Sequence, residues 1–217
     1  MKITKYPQSC LLIETKGKKI LIDPGILKYK DEYFNIWNNV DIILITHKHP
    51  DHCNTAVLEK LDKSILIYST KEVKNANESL SINIIKENDI LKIGDITIEV
   101  VHAIHGYQPL LKGKEINENV GYIIDDGENR LYTTSDTICF KNDFKANILC
   151  VPITGHGLTM SAFEAALYAK EVGANVTIPV HMDNPAFPPD LNYFKEMFEK
   201  YEAEYEILEN DETIEIE

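Results

Sequence analysis

Apolar positions along the chain fall in short blocks, and most blocks are too short for a helix and right for a strand. The opening stretch MKITKYPQSCLLIET reads as a strand. Residues 9–14 and 19–23 are apolar-rich and flank Thr15-Lys16-Gly17-Lys18, the pattern of a β-hairpin. Residues 26–39 mix polar positions with Tyr29, Tyr33, Phe34 and Trp37, which fits a surface helix packed by its aromatics. Buried-strand runs follow at 40–45, 65–68, 148–153 and 176–180, with short helical turns at 55–61 and 71–77. Residues 82–85, 90–93 and 96–101 are strand-like, with a turn at Gly94-Asp95, and Ile96, Ile98 and Val100 alternate as in a half-buried strand. Segments 120–124 and 131–134 bracket Asp126-Gly127, a second hairpin signal.

The best helix is 161–172, where Ser161 and Glu164 have capping-box spacing and Gly173 supplies the stop. A second helix, 190–201, carries Phe194, Met197, Phe198 and Tyr201 at helical spacing. By default it packs on its own sheet, with a second copy of the chain as the alternative partner. Short strands near 205–208 and 213–216 close the chain. Many strands, with helices interspersed, predict a layered α/β fold whose sheets carry helices on their outer faces. No repeat, low-complexity tract or dividing linker interrupts residues 1–217, so a single domain is expected.

Composition narrows the function. Lys and Arg total 22 against 35 Asp and Glu, a net charge of −13, and Arg130 is the one arginine. Such a surface repels phosphate backbones and anionic membranes, which argues against nucleic acid and membrane partners. No apolar run approaches the ~18 residues of a membrane helix, and no signal-peptide core opens the chain. Cys10, Cys53, Cys139 and Cys150 form no C-x-x-C pair, which fits a reduced, cytoplasmic setting.

The chemistry concentrates in histidines. Of seven, three fall in Thr46-His47-Lys48-His49-Pro50-Asp51-His52. On extended backbone His47 and His49 project to one side. Pro50 keeps the segment open, and Asp51 and His52 point in a second direction. Two adjacent metal positions are thereby served from one loop, with an imidazole and carboxylate set that suits Zn, Mn or Fe. His105, Asp136 and His181 each follow a predicted strand, where α/β folds build their sites. His156 sits between Gly155 and Gly157, so its backbone can approach a ligand closely. It is the candidate general acid or substrate contact, with Tyr107 and His102 as weaker ones. His102 alone is equally compatible with a hydrogen-bonded core histidine, and Asp23 with a simple Asp-Pro-Gly turn.

Thr46 to His52 resembles the signature of the metallo-β-lactamase superfamily, and Ile22-Asp23-Pro24, Ala103-Ile104-His105, Ser135-Asp136-Thr137 and Pro179-Val180-His181 fall in the matching order. Val151-Pro152-Ile153-Thr154-Gly155-His156-Gly157 is similar to the compact branch containing ascorbate-6-phosphate lactonase-like proteins. The resemblance implies a four-layer αββα sandwich with metals at one edge of the sheets. It implies that His47, His49 and His105 hold one divalent ion, that Asp51, His52 and His181 hold a second, and that Asp136 bridges them. It places Asp23 behind a ligand histidine, leaves His102 as an extra histidine, and leaves Cys53 as a small buried residue at the next helix.

Two ions sharing a water lower its pKa from 15.7 toward about 7, and Asp51 would orient that water and take its proton. The expected reaction is hydrolysis of an ester, lactone or phosphoester in a small, anionic molecule such as a sugar-phosphate lactone. A phosphodiesterase is the first alternative. Redox or sulfur chemistry at a single iron is the second, and a non-catalytic metal-dependent scaffold or ligand sensor is the third. Specificity is expected in loops 26–39 and 107–118.

Overall fold

The computed structural model describes every residue except 108–109 and 111–114. The β-hairpin reading near the N-terminus holds, with one strand more. Residues 1–15 are not continuous: β1 (Lys2–Lys5) and β2 (Leu11–Thr15) pair antiparallel, Ile3 opposite Ile13. Pro7 and Gln8 make the turn between them, closed by Tyr6 N–H donating to Cys10 O at 2.8 Å. β3 (Lys18–Ile22) follows a two-residue turn in which Lys16 and Gly17 have φ of 47° and 71°. Both are left-handed, as a tight hairpin requires.

β3 then pairs in parallel with β4 (Ile42–Leu44), β4 with β5 (Leu66–Ser69), and β5 with β6 (Ile82–Ile84). A last strand, β13 (Thr213–Glu215), pairs with β1 and completes a seven-stranded sheet among the described residues. The second sheet holds six: β7 (Ile90–Ile93), β8 (Ile96–His102), β9 (Val120–Asp125), β10 (Arg130–Thr133), β11 (Ile148–Pro152) and β12 (Val176–Val180). Its β7–β10 run is antiparallel, and β11 and β12 continue in parallel.

The alternation along each strand sorts side chains into layers. Leu11, Ile13, Ile20 and Ile22 of the first sheet meet Ile98, Val100, Tyr122 and Ile124 of the second in one buried seam. The opposite faces take the helices. Leu12, Leu21 and Ile43 pack with residues of α1 (Glu32–Trp37), α2 (Thr55–Leu58) and α3 (Lys71–Ala76). Ile123, Leu149 and Val151 pack with α4 (Ala162–Val172) and α5 (Leu191–Lys200). The four-layer αββα sandwich follows directly.

Local signals held where they were strongest. Ser161 and Glu164 form the capping box of α4, and Gly173 ends it at φ 78°. Tyr33 and Trp37 of α1 are buried, and Tyr6 packs edge-on against Tyr33 at 4.9 Å. Residues 205–208 are not a strand. Tyr205 makes a single bridge to Thr177, after which the chain must leave the second sheet to reach β1 in the first.

Candidate metal centre

The two sheets are tied together at the edge where the histidines gather. Tyr122 hydroxyl donates to Ile45 O at 2.7 Å, and Val120 N–H to Thr46 O at 3.3 Å. His47, His49, Asp51 and His52 lie in the loop after β4, and His105, Asp136 and His181 follow β8, β10 and β12. Three residues at these strand ends are left-handed despite carrying side chains: Asp23 (φ 46°), Ser135 (φ 63°) and His181 (φ 59°). Each such conformation costs about 1–2 kcal/mol and persists because packing imposes it. Gly25 explains the Asp-Pro-Gly motif, since a Cβ there would lie 1.7 Å from the backbone oxygen of Asp51.

Two clusters of donor atoms result. His47, His49 and His105 form one, and Asp51, His52, Asp136 and His181 the other; within each, the donor atoms all lie within 4.8 Å of one another. His47 Nε2 and His49 Nδ1 are 3.1 Å apart. Asp136 Oδ2 is 3.2 Å from His52 Nε2, 3.0 Å from His181 Nε2 and 3.9 Å from His105 Nε2. One carboxylate oxygen therefore reaches both clusters.

Contacts behind the rings aim them. Asp23, fully buried, accepts His52 Nδ1–H at 2.8 Å and both the N–H and hydroxyl of Thr46 at 2.8 Å. His105 Nδ1–H donates to Gly106 O at 2.7 Å. A hydrogen fixed on Nδ1 leaves the Nε2 lone pair pointing inward, as a ligand histidine requires.

The electrostatics are those of a site built for cations. Burial, reinforced by the charge of His52, holds the His47 imidazole well below its ordinary pKa, so it is neutral. Burial also opposes charge on His52, but Asp136, Asp23 and Asp51 outweigh it and raise that pKa well above the usual value. Burial disfavours ionised Asp136, yet His181 and His52 hold its carboxyl well below the usual range. Asp23 is raised by burial against the pull of His52.

Asp136 Oδ1 is buried and has no hydrogen-bond partner, and His52 Nε2, 3.2 Å from Asp136 Oδ2, makes no hydrogen bond of good geometry. Native interiors rarely leave such atoms unsatisfied. Ligands held about 2.0–2.1 Å from a tetrahedral ion stand about 3.3 Å apart, close to the donor spacings here. The residues fit metal ions on spacing, on orphaned atoms and on donor chemistry.

A domain model described as the β-lactamase superfamily domain matches residues 2–181. The chain belongs to the metallo-β-lactamase superfamily. A UPF0173 protein of Pyrococcus abyssi is 33% identical over 190 residues, covering 83% of each chain. A UPF0173 metal-dependent hydrolase of Nanoarchaeum equitans is 30% identical over 229 aligned positions and covers 100% of both. Among solved structures, Igni18, a metallo hydrolase of Ignicoccus hospitalis, superposes with a TM-score of 0.79 at 25% identity, over 100% of this chain and 99% of its own. An isothiocyanate hydrolase from Delia radicum gut bacteria shares the fold, with a TM-score of 0.81 at 20% identity over 100% and 99% of the two chains.

In this superfamily member the ligand-type residues form the floor of a cavity of about 870 Å³, with Asp51, His105, Asp136, His156 and His181 in its lining. His156 lies on the wall, its ring stacked on Phe187 at 3.5 Å and 11°. Burial and the neighbouring His181 lower its pKa, so the ring is neutral at pH 7. Asn184 Nδ2, which can only donate, stands 3.4 Å from His156 Nε2 and leaves the ring hydrogen on Nδ1. His102 is not a core histidine: it is half-exposed and paired with Glu87 at 3.0 Å. Cys53 is buried with the helix-side cluster, immediately before the Asn54 cap of α2, and belongs to neither donor cluster. Of loop 107–118, residues 108–109 and 111–114 lie outside the described residues.

Sequence reading missed three supporting residues. Gln8 (φ 65°) donates Nε2–H to Asp51 Oδ2 at 3.0 Å and accepts Asp183 N–H at 3.1 Å, while its backbone oxygen accepts His181 N–H at 3.0 Å. Asp183 accepts from Gln8 N–H at 2.8 Å, from buried Lys5 at 3.2 Å and from Lys28 at 2.8 Å. Glu72 accepts Lys48 Nζ at 2.7 Å and the N–H groups of Asn117 and Glu118 at 2.9 and 3.0 Å, which ties the histidine loop to the far end of loop 107–118. Only Gln8 carried a sequence signal, a Pro-Gln turn between two apolar blocks.

Proposed function

We propose that this chain is a metal-dependent hydrolase that uses two divalent ions on an ester or lactone, with phosphoesters as the alternative substrate class. Its relatives include named metal-dependent hydrolases, and the chain is an enzyme of that class. The observation that carries the finer reading is Asp136 Oδ2, which belongs to one donor cluster and lies 3.9 Å from His105 Nε2 of the other on the cavity floor.

His47, His49 and His105 would hold one ion; Asp51, His52 and His181 the other; Asp136 both. Zinc is the first choice for this imidazole-rich set, with manganese or iron as alternatives. When bound, such ions polarise a substrate oxygen and bring the pKa of water from 15.7 toward about 7. The chain's own groups then position the reactants. The Asp51 carboxylate, held by Gln8, orients the attacking water and receives its proton. His156, neutral and carrying its hydrogen on Nδ1, is suited to hydrogen-bond the substrate more than to store a proton.

The test is metal content per chain, by mass spectrometry on protein purified without chelator or added metal, followed by turnover on ester, lactone and phosphodiester panels. About two equivalents with ester or lactone turnover is the expected result. Preferred cleavage of bis-p-nitrophenyl phosphate moves the reaction to phosphodiesters. One equivalent of iron, with no hydrolysis, overturns the binuclear reading.

A further inference from the structure

The cavity floor is polar, but its walls are not. Ile26, Tyr107 and Phe187 line it and are 49%, 52% and 47% exposed, and Leu27 and Pro50 line it as well. Large apolar side chains grouped around a concave site mark a place where ligand surface is buried. Phe187 is held flat against His156, so an aromatic face is presented beside the floor in a fixed orientation. A cavity of about 870 Å³ accommodates a ligand well beyond the reacting group.

The charges lining the cavity are already committed. Among the described residues Lys48 is the one lysine or arginine in the lining, and its ammonium is bound to Glu72 at 2.7 Å. Glu72 is held in turn by Asn117 and Glu118. Asp51 and Asp136 are the carboxylates present, and both belong to the donor clusters. A distal phosphate would have to break the Lys48–Glu72 pair to find a cation.

We propose that the substrate is a neutral carboxylic ester or lactone whose non-reacting part is apolar, an acyl chain or aryl ring lying along Ile26, Tyr107 and Phe187. This rests on the hydrolase reading above. Water adds to the carbonyl carbon and the acyl C–O bond breaks. The acid leaves as a carboxylate, the alcohol oxygen takes one proton and the other goes to solvent. Full burial of a methylene strengthens binding about fourfold.

Two series on the metal-loaded protein test this. Calorimetric titration with straight-chain 2-alkanones, from butanone to decanone, reads binding without turnover. Hydrolysis of p-nitrophenyl esters, from acetate to octanoate, reads kcat/KM. Kd should fall and kcat/KM rise by up to about fourfold per methylene until the wall is covered. Phe187→Ser with Ile26→Ser should flatten both gradients through KM. Flat wild-type gradients, or tighter binding of glucose 6-phosphate than of any ketone, overturn the proposal. A ketone gradient without ester turnover keeps the apolar wall and removes the ester and lactone reading beneath it. Ester turnover independent of chain length does the reverse.

Discussion

Gln8 is the residue whose replacement tests the site's construction most directly. Gln8→Met nearly keeps the side-chain volume and the backbone bonds, and removes both side-chain polar atoms. Two things are lost. Asp51 Oδ2 loses the donor at 3.0 Å, and Asp183 N–H loses its acceptor at 3.1 Å. A hydrogen bond to a charged group contributes about 1.5–3 kcal/mol, and an orphaned buried N–H costs about 1–3 kcal/mol. The two share one side chain and do not add fully, so a net loss of about 2–4 kcal/mol is expected from urea unfolding of the metal-free protein. Removing a hydrogen bond behind a ligand carboxylate also lowers metal affinity about 10–100-fold. Competition against a chelator should show that loss for the ion proposed at Asp51 and a much smaller one for the ion proposed at His47 and His49. Gln8→Glu sharpens the contrast, because it sets a second carboxylate against Asp51 and should weaken that ion more than methionine does. Unchanged affinity at both positions, with stability lowered, would refute a role for Gln8 in presenting Asp51 and leave it a framework residue.

Four further outcomes follow from the same geometry. Asp136→Ala should reduce bound metal from about two equivalents per chain to one or fewer by mass spectrometry, since its Oδ2 reaches both clusters and the three histidines of the first remain; retention of two ions would exclude the bridging position. Asp23→Ala removes the acceptor for His52 Nδ1 and two Thr46 donors, and should weaken metal binding about 10–100-fold in the chelator assay. Gly25→Ala, whose Cβ would meet Asp51 O at 1.7 Å, should lower the urea midpoint sharply, whereas Gly94→Ala, with open space around it, should cost only the strain of its φ of 60°. The Asp183 carboxyl is lowered to about 2: burial pushes it up, but Lys5, Lys28, Asn210 and the Gln8 amide outweigh that. A depressed carboxylate stabilises the fold above its unfolded value near 3.8 and loses that contribution as pH falls toward about 2. Metal-free Asp183→Asn should therefore show a shallower loss of stability between about pH 4 and pH 2 than the wild type.

Much of this was legible in order along the chain. Strand blocks, both hairpins and the capping box of α4 are local events, set by period-two alternation, turn residues and i to i+3 spacing. The run Thr46 to His52 stood out as a ligand candidate because six residues, His47 to His52, crowd three imidazoles and a carboxylate. His105, Asp136 and His181 were readable because each follows a strand, and strand ends are rigid. What sequence could not supply is pairing across distance. Gln8 meets Asp51 across 43 positions and Asp183 across 175, and nothing local in either segment announces the other. His102 and His105 stand three residues apart, and only the structure shows that the end of β8 carries the first out to Glu87 and the loop after it carries the second in to Asp136. Residues 205–208 have a strand's composition, and the path back to β1 denies them one. The kinds of side chain that make the site are thus a property of the sequence. Which of them gather into each donor cluster, which groups hold them, and what lines the wall above them are decided by the packing of two sheets, because that alone brings distant strand ends to one edge.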